Sequence, residues 1–245
     1  MTTRPAEISP LVRARVTGAL YLISNIFAPF TLLYLPSRFI VRGDAAATSN
    51  NIMASESLFR LGIVGNLFTF IANIFLALAL FQLLKVVHKN MASLMVILFL
   101  VGVPIAMLNE VTQLAVLRLL SGAGYLAVFS KEQLQALALF FLNLHAQGLN
   151  IAQIFWGLWL LPMGYLIYKS GFLPKFLGIL LIIACLGYLV DSFAAFLLPS
   201  LNVNVIFFTG WGELAILLWL LIKGVNVEEW NRRALAAGQL IEETR

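Results

Sequence analysis

Six long apolar runs, separated by charged or turn-rich breaks, organise this chain. They lie near Val16 to Leu35, Leu61 to Val87, Met91 to Leu120, Leu134 to Tyr168, Phe176 to Leu198 and Val205 to Ile222. None alternates apolar and polar residues with a period of two, so none reads as a barrel strand. About 20 apolar residues in a helix match the roughly 30 Å hydrocarbon core of a bilayer. In hydrocarbon, a helix satisfies its backbone N–H and C=O groups within the segment itself. The pattern therefore predicts an all-α integral membrane protein with six transmembrane helices, arranged as three hairpins that leave the cytoplasm and return. The first run outlasts a signal h-region and continues beyond Ala28-Pro29, so it is expected to remain as an anchor.

Composition narrows the class further. Of 245 residues, 61% are apolar and 11% charged, with a mean hydropathy of +0.95. Soluble domains carry about 25% charged residues, which leaves no room here for a soluble catalytic domain. The formal charge of +5 reads as membrane orientation and headgroup contact, with no nucleic-acid partner expected. The single cysteine, Cys185, lies inside an apolar run and offers neither a disulfide framework nor a thiolate metal site.

Lys and Arg divide unevenly between alternate connections. One side holds Arg4, Arg13, Arg15, Lys85, Lys89, Lys169, Lys175, Lys223, Arg232, Arg233 and Arg245; the other holds Arg38, Arg42, Arg60, Arg118 and Lys131. By the positive-inside rule the richer side is cytoplasmic, which places both termini there. The expected organisation is a cytoplasmic tail over 1–15, a six-helix transmembrane domain over 16–224 and a cytoplasmic interfacial tail over 225–245. The expected location is the cell membrane, here the inner membrane. The long extracytoplasmic connection 37–57 carries enough sequence for a short lid helix. In the tail, Asn226 stands three residues before Glu229, a capping-box spacing, and Val227, Trp230 and Ala234 share one face. That pattern predicts a short amphipathic C-terminal helix.

Several scattered pieces carry a resemblance. They are ArgValThrGlyAlaLeuTyrLeuIle from Arg15; Gly43-Asp44 through Asn51-Ile52 to Glu56-Ser-Leu-Phe-Arg60; LysSerGlyPheLeuProLysPheLeuGlyIleLeu from Lys169; and Gly212-Glu213 ahead of LeuLeuTrpLeuLeuIleLysGlyVal. In these the chain resembles the domain of unknown function 4386 family over most of its length. The resemblance implies a multi-pass integral membrane protein of prokaryotic type. It implies no particular activity.

Candidate chemistry rests on the polar groups that a bilayer makes costly. Within the runs these are Glu110, His145, Asp191 and Glu213. Counting residues from the nearest breaks puts all four in the outer half, where they are expected to share a cavity open to the outside. Asn109 and Gln113 flank Glu110, while Asn143, Gln147 and Asn150 fall on one face of the fourth helix. His145 points nearly opposite Asn143, so a joint His and Asn site on that helix is not expected. Arg60 and Arg118 sit at outer helix ends, from which a guanidinium reaches an intramembrane carboxylate or an anionic ligand. Arg60 is expected to pair with Glu110 or Asp191 in preference to Glu56.

With only His88 and His145 and no HisGluXxxXxxHis run, no metal site is expected, and no cofactor can be named. Two functional classes fit these groups. One is a binder or permease for a small or amphipathic ligand, with the acids exchanging protons. The other is an intramembrane enzyme using the same acids and His145 on a lipid-soluble substrate. A non-catalytic subunit or scaffold is the third alternative, and oligomeric state is not legible.

Overall fold

The computed structural model describes residues 9–198, 200–201 and 204–238. Every regular element among them is helical. The first span begins as α1 (Pro10–Asn25) and passes through a π-helical stretch, Pro29–Tyr34, into α2 (Leu35–Phe39). Pro29 has no N–H to donate, so the regular hydrogen-bond ladder is interrupted where the wider turn begins. After α2 the chain turns into α3 (Ala45–Ala54), whose N-terminus is capped by the Asp44 side chain accepting from the Ala47 amide at 2.8 Å. The predicted connection 37–57 thus contains a ten-residue helix.

Two long uninterrupted helices follow, α4 (Glu56–Leu84) and α5 (Lys89–Leu120). The fourth predicted run is not one helix. It divides into α6 (Lys131–Leu158) and α7 (Leu160–Ser170) at Trp159. Pro162 explains the break, because its missing N–H and its ring deprive the carbonyl four residues earlier, on Leu158, of a helical partner. The fifth span is α8 (Lys175–Leu197). The sixth is α9 (Ile206–Thr209) and α10 (Trp211–Ile222), interrupted at Gly210. Five segments are long and apolar enough to cross a membrane, and the sixth is shorter. From Ile206 to Ile222 it rises about 25 Å at 1.5 Å per residue, just short of the hydrocarbon core.

The predicted tail helix is α11 (Val227–Ala236), set at 100° to the sixth span and capped by Asn226 accepting from the Glu229 amide at 3.1 Å. Trp230 anchors it. The Trp230 indole donates to the Leu83 carbonyl at 3.0 Å, and Arg13 lies over its ring.

In chain order each span packs on the next: α1 on α4, α4 on α5, α5 on α6, α6 on α8, α8 on α10, and α10 back on α1. The ring closes. At the α11 end it is filled solidly by α7 and by Leu80, Leu83, Leu84, Met163, Leu166, Ile167 and Leu220, all essentially inaccessible. At the opposite end a second apolar cluster joins Leu35 and Phe39 of α2 and Ile52 of α3 to Phe59, Ile63, Val116 and Leu117. Outward-facing residues such as Leu108 (73% exposed) and Phe208 (77% exposed) leave an apolar surface of the kind lipid covers. Between the two packed ends the ring stays open inside.

Candidate functional site

The interior space is a cavity of about 430 Å³. Leu76, Phe99 and Trp159 form its floor over the α11-end core, and Leu35, Phe39 and Phe59 border its other end. Polar residues enter from separate helices. Asn66, Thr69 and Asn73 line it from α4 at three- and four-residue spacing, which is one helix face. Ser24, Asn25 and Thr31 reach it from the first span, Gln113 from α5, and His145 and Gln153 from α6. Among the described residues, no Lys or Arg lines it.

Two acids are held by different means. Glu213 reaches the cavity from the first turn of α10. Its position depends on two glycines that admit close helix approach. A Cβ on Gly212 would lie 2.9 Å from the Leu180 carbonyl on α8, and one on Gly18 would lie 2.8 Å from the Leu221 amide on α10. Any larger side chain would push these backbones apart. So wedged, Glu213 stands between Tyr21 on α1 and Tyr188 on α8. The Tyr21 hydroxyl donates to Oε2 at 2.7 Å and the Tyr188 hydroxyl to Oε1 at 2.9 Å.

Glu110 is 2% exposed and lies behind the cavity wall. Asn66 Nδ2 donates to its Oε1 at 3.0 Å, and Gln113 Nε2 donates to its Oε2 at 3.0 Å. The same Gln113 amide lies 3.0 Å from His145 Nε2, so its two protons bridge the acid and the ring. That assignment makes Nε2 the acceptor and leaves the ring proton on Nδ1, 3.2 Å from Thr112 Oγ1 and 3.3 Å from the Asn109 carbonyl. Asn109 Nδ2 completes the network by donating to the His145 carbonyl at 2.8 Å. Glu110 and Asn66 each lie ten residues from the nearer end of their helices, about 15 Å in, on the α3 side of the bundle.

A family model described as Domain of unknown function (DUF4386) matches residues 16–224. The chain belongs to that family. The matched span runs from α1 to the end of α10 and so takes in every residue of the cavity and of both acid clusters. An uncharacterised protein of Archaeoglobus fulgidus is 31% identical over 169 residues, covering 68% of this chain and 86% of that protein. No solved structure matches the chain. Membership in the DUF4386 family carries no activity, so chemistry must come from the geometry.

Of the residues singled out from the sequence, Asn109, Glu110, Gln113 and His145 meet in one network, and Glu213 opens onto the cavity that Gln113 and His145 also line. The others lie elsewhere. Asp191 accepts from the amides of Val205 and Ile206 at 2.7 and 2.9 Å, capping the start of α9. Arg60 does not reach an intramembrane acid. It pairs with Glu56 at 2.6 Å, the two side chains 56% and 38% exposed, because one helical turn brings them together at the solvated start of α4. Arg118 is exposed in the last turn of α5, Asn143 and Gln147 are exposed, and Asn150 donates to Gln147 at 3.3 Å.

Tyr21, Tyr188, Asn66 and Thr112 are the participants that pattern reading passed over. A tyrosine deep within a span was the available signal, since tyrosines in membrane helices gather at the interfaces, and a buried hydroxyl needs a partner. Among the described residues no three His, Cys, Asp or Glu side chains converge, so no metal ligands can be named.

Proposed function

We propose that this chain binds a small amphipathic molecule in the cavity enclosed by its six spans, and moves it between the bilayer and one aqueous face. The observation that carries the reading is a cavity of about 430 Å³ whose walls are mainly aromatic and aliphatic, with Glu213 on one helix and the His145–Gln113 pair on two others. Pockets of about 300–1,000 Å³ with a few placed polar groups are the ordinary form of small-molecule sites. An apolar wall takes the tail of such a ligand and the placed polar groups orient its head. The spans form three hairpins with both termini cytoplasmic, a reading supported by the Lys and Arg asymmetry. On it the α2–α3 cap faces outward, and the interfacial α11 lies on the cytoplasmic headgroups.

The test is ligand-induced stabilisation of the purified chain in lipid nanodiscs. A fatty acid, a long-chain amine and a neutral monoglyceride are compared on the wild-type protein and on Thr69→Phe, which fills the cavity from α4. At least one of the three is expected to raise the unfolding temperature of the wild type and to leave the filled variant unchanged. Identical responses from both proteins would return the chain to a subunit or scaffold role.

A further inference from the structure

The two acids differ in what holds them. Glu110 has amide donors on both oxygens, with the acceptor Nε2 of His145 3.9 Å away. Glu213 has phenol donors on both oxygens, no ion pair among the described residues, and no Lys or Arg along the cavity it faces. Two phenols supply hydrogen bonds but no positive charge. A carboxylate at this depth is costly unless a counter-charge arrives, and Glu213 lines the cavity. The walls of that cavity are rich in aromatic rings: Tyr21, Phe70, Phe99, Trp156, Trp159 and Tyr188. Phe99 packs against Trp159 with centroids 4.3 Å apart and ring planes tilted by 46°, and the Phe70 centroid lies 6.0 Å from that of Trp156. Aromatic faces attract desolvated cations and repel anions.

We propose that Glu213, held by Tyr21 and Tyr188, is the subsite for the cationic head of a lipophilic amine or quaternary ammonium compound. This deepens the ligand-binding function above and rests on it. The cation supplies the counter-charge that the two phenols do not, and its apolar part lies along Phe70, Phe99 and Trp159. Selectivity is against anions, because no Lys or Arg among the described residues lines the space. The guanidinium-based anion clamp expected from the sequence has no place here, since Arg60 is already paired at the surface.

The experiment uses two ions of the same shape and opposite charge, tetraphenylphosphonium and tetraphenylborate, with the full chain in phosphatidylcholine nanodiscs. Saturable binding of radiolabelled tetraphenylphosphonium is expected, without competition from tetraphenylborate. Glu213→Gln is expected to weaken that binding at least about tenfold. The opposite-charge comparison on the wild-type protein stands even if the variant does not fold. Equal saturable binding of both ions, or an unchanged affinity in a folded Glu213→Gln protein, overturns the cation subsite and leaves the cavity function intact. Binding of neither ion, with no response to any of the three amphiphiles, overturns both.

Discussion

The Glu110 network offers the most quantitative test of the site, through Asn66→Ala. Asn66 supplies one of the two amide donors to a carboxyl that is 2% exposed, and its own side chain also borders the cavity. A hydrogen bond to a charged group is worth about 1.5–3 kcal/mol, whereas an average interhelical polar contact in a membrane is worth about 0.6 kcal/mol. Water entering from the cavity can replace part of what is lost. The expected cost is therefore about 1–2 kcal/mol, above the generic contact and below a fully dry one. In a Glu110→Gln background the acceptor is neutral, and Asn66→Ala should fall to about 0.6 kcal/mol. The double-mutant cycle then returns a coupling of about 1 kcal/mol, which is resolvable because independent sites add within about 0.3–0.5 kcal/mol. The assay is reversible unfolding in mixed micelles, followed by helical circular dichroism for all four proteins. Strict additivity of the two substitutions, or an Asn66→Ala protein as stable as the wild type, would refute the account of Glu110 as an acid held by this amide.

Two further outcomes follow from surface geometry. Arg60→Ala and Glu56→Ala should each change stability by no more than about 1 kcal/mol and by similar amounts, since exposed i,i+4 pairs contribute little; a loss of about 3–5 kcal/mol on removing Arg60 alone would reveal a desolvated partner. On α11, the hydrogen bond from Arg232 at 2.6 Å, helped by Arg233 at 3.4 Å, holds the Glu229 carboxyl below its ordinary value of 4.5. The contribution of a depressed carboxyl is present above that ordinary value and is lost as pH falls through the depressed one. Hydrogen-exchange protection over residues 227–236, measured relative to the intrinsic rate at each pH, should thus fall on acidification below about pH 4.5, and Glu229→Gln should remove that step; a pH-independent protection factor in the wild type would contradict it.

What the sequence made legible was set by how local each signal is. Apolar runs and charged breaks mark helices within their own segment, so six runs and the capped tail helix at Asn226 were readable directly. The broken fourth run was readable in principle at Pro162, but the apolar pattern continues unchanged through it and masks the proline. Site residues are another matter, because partners come from different helices. Glu110 and Gln113 are neighbours on one helix face and could be joined from spacing alone. Asn66 lies 44 residues from Glu110 and Tyr21 lies 192 residues from Glu213, distances over which no periodicity operates. Arg60 is the converse case: its address at a helix end suggests a long-range acid, yet Glu56 stands one turn away and the local pair is what forms at a solvated helix start.

The glycines connect these two levels. Gly212 directly precedes Glu213, and both Gly212 and Gly18 meet backbone where a side chain would stand. The sequence displays Gly212-Glu213 as a neighbouring pair, yet what it means depends on Leu180 and Leu221, which only the closed ring supplies. Close approach at Gly212 brings α10 against α8, and close approach at Gly18 brings it against α1. Those are the two helices that carry Tyr188 and Tyr21. The contacts that close the ring of helices are therefore the contacts that deliver two phenol donors to one carboxylate. A fold that left α10 an ångström further from either neighbour would keep its helices and its cavity, but it would stretch a hydrogen bond of 2.7 or 2.9 Å beyond useful length. Helix packing and acid placement are in this sense a single constraint, written in residues too small to show a chemical role of their own.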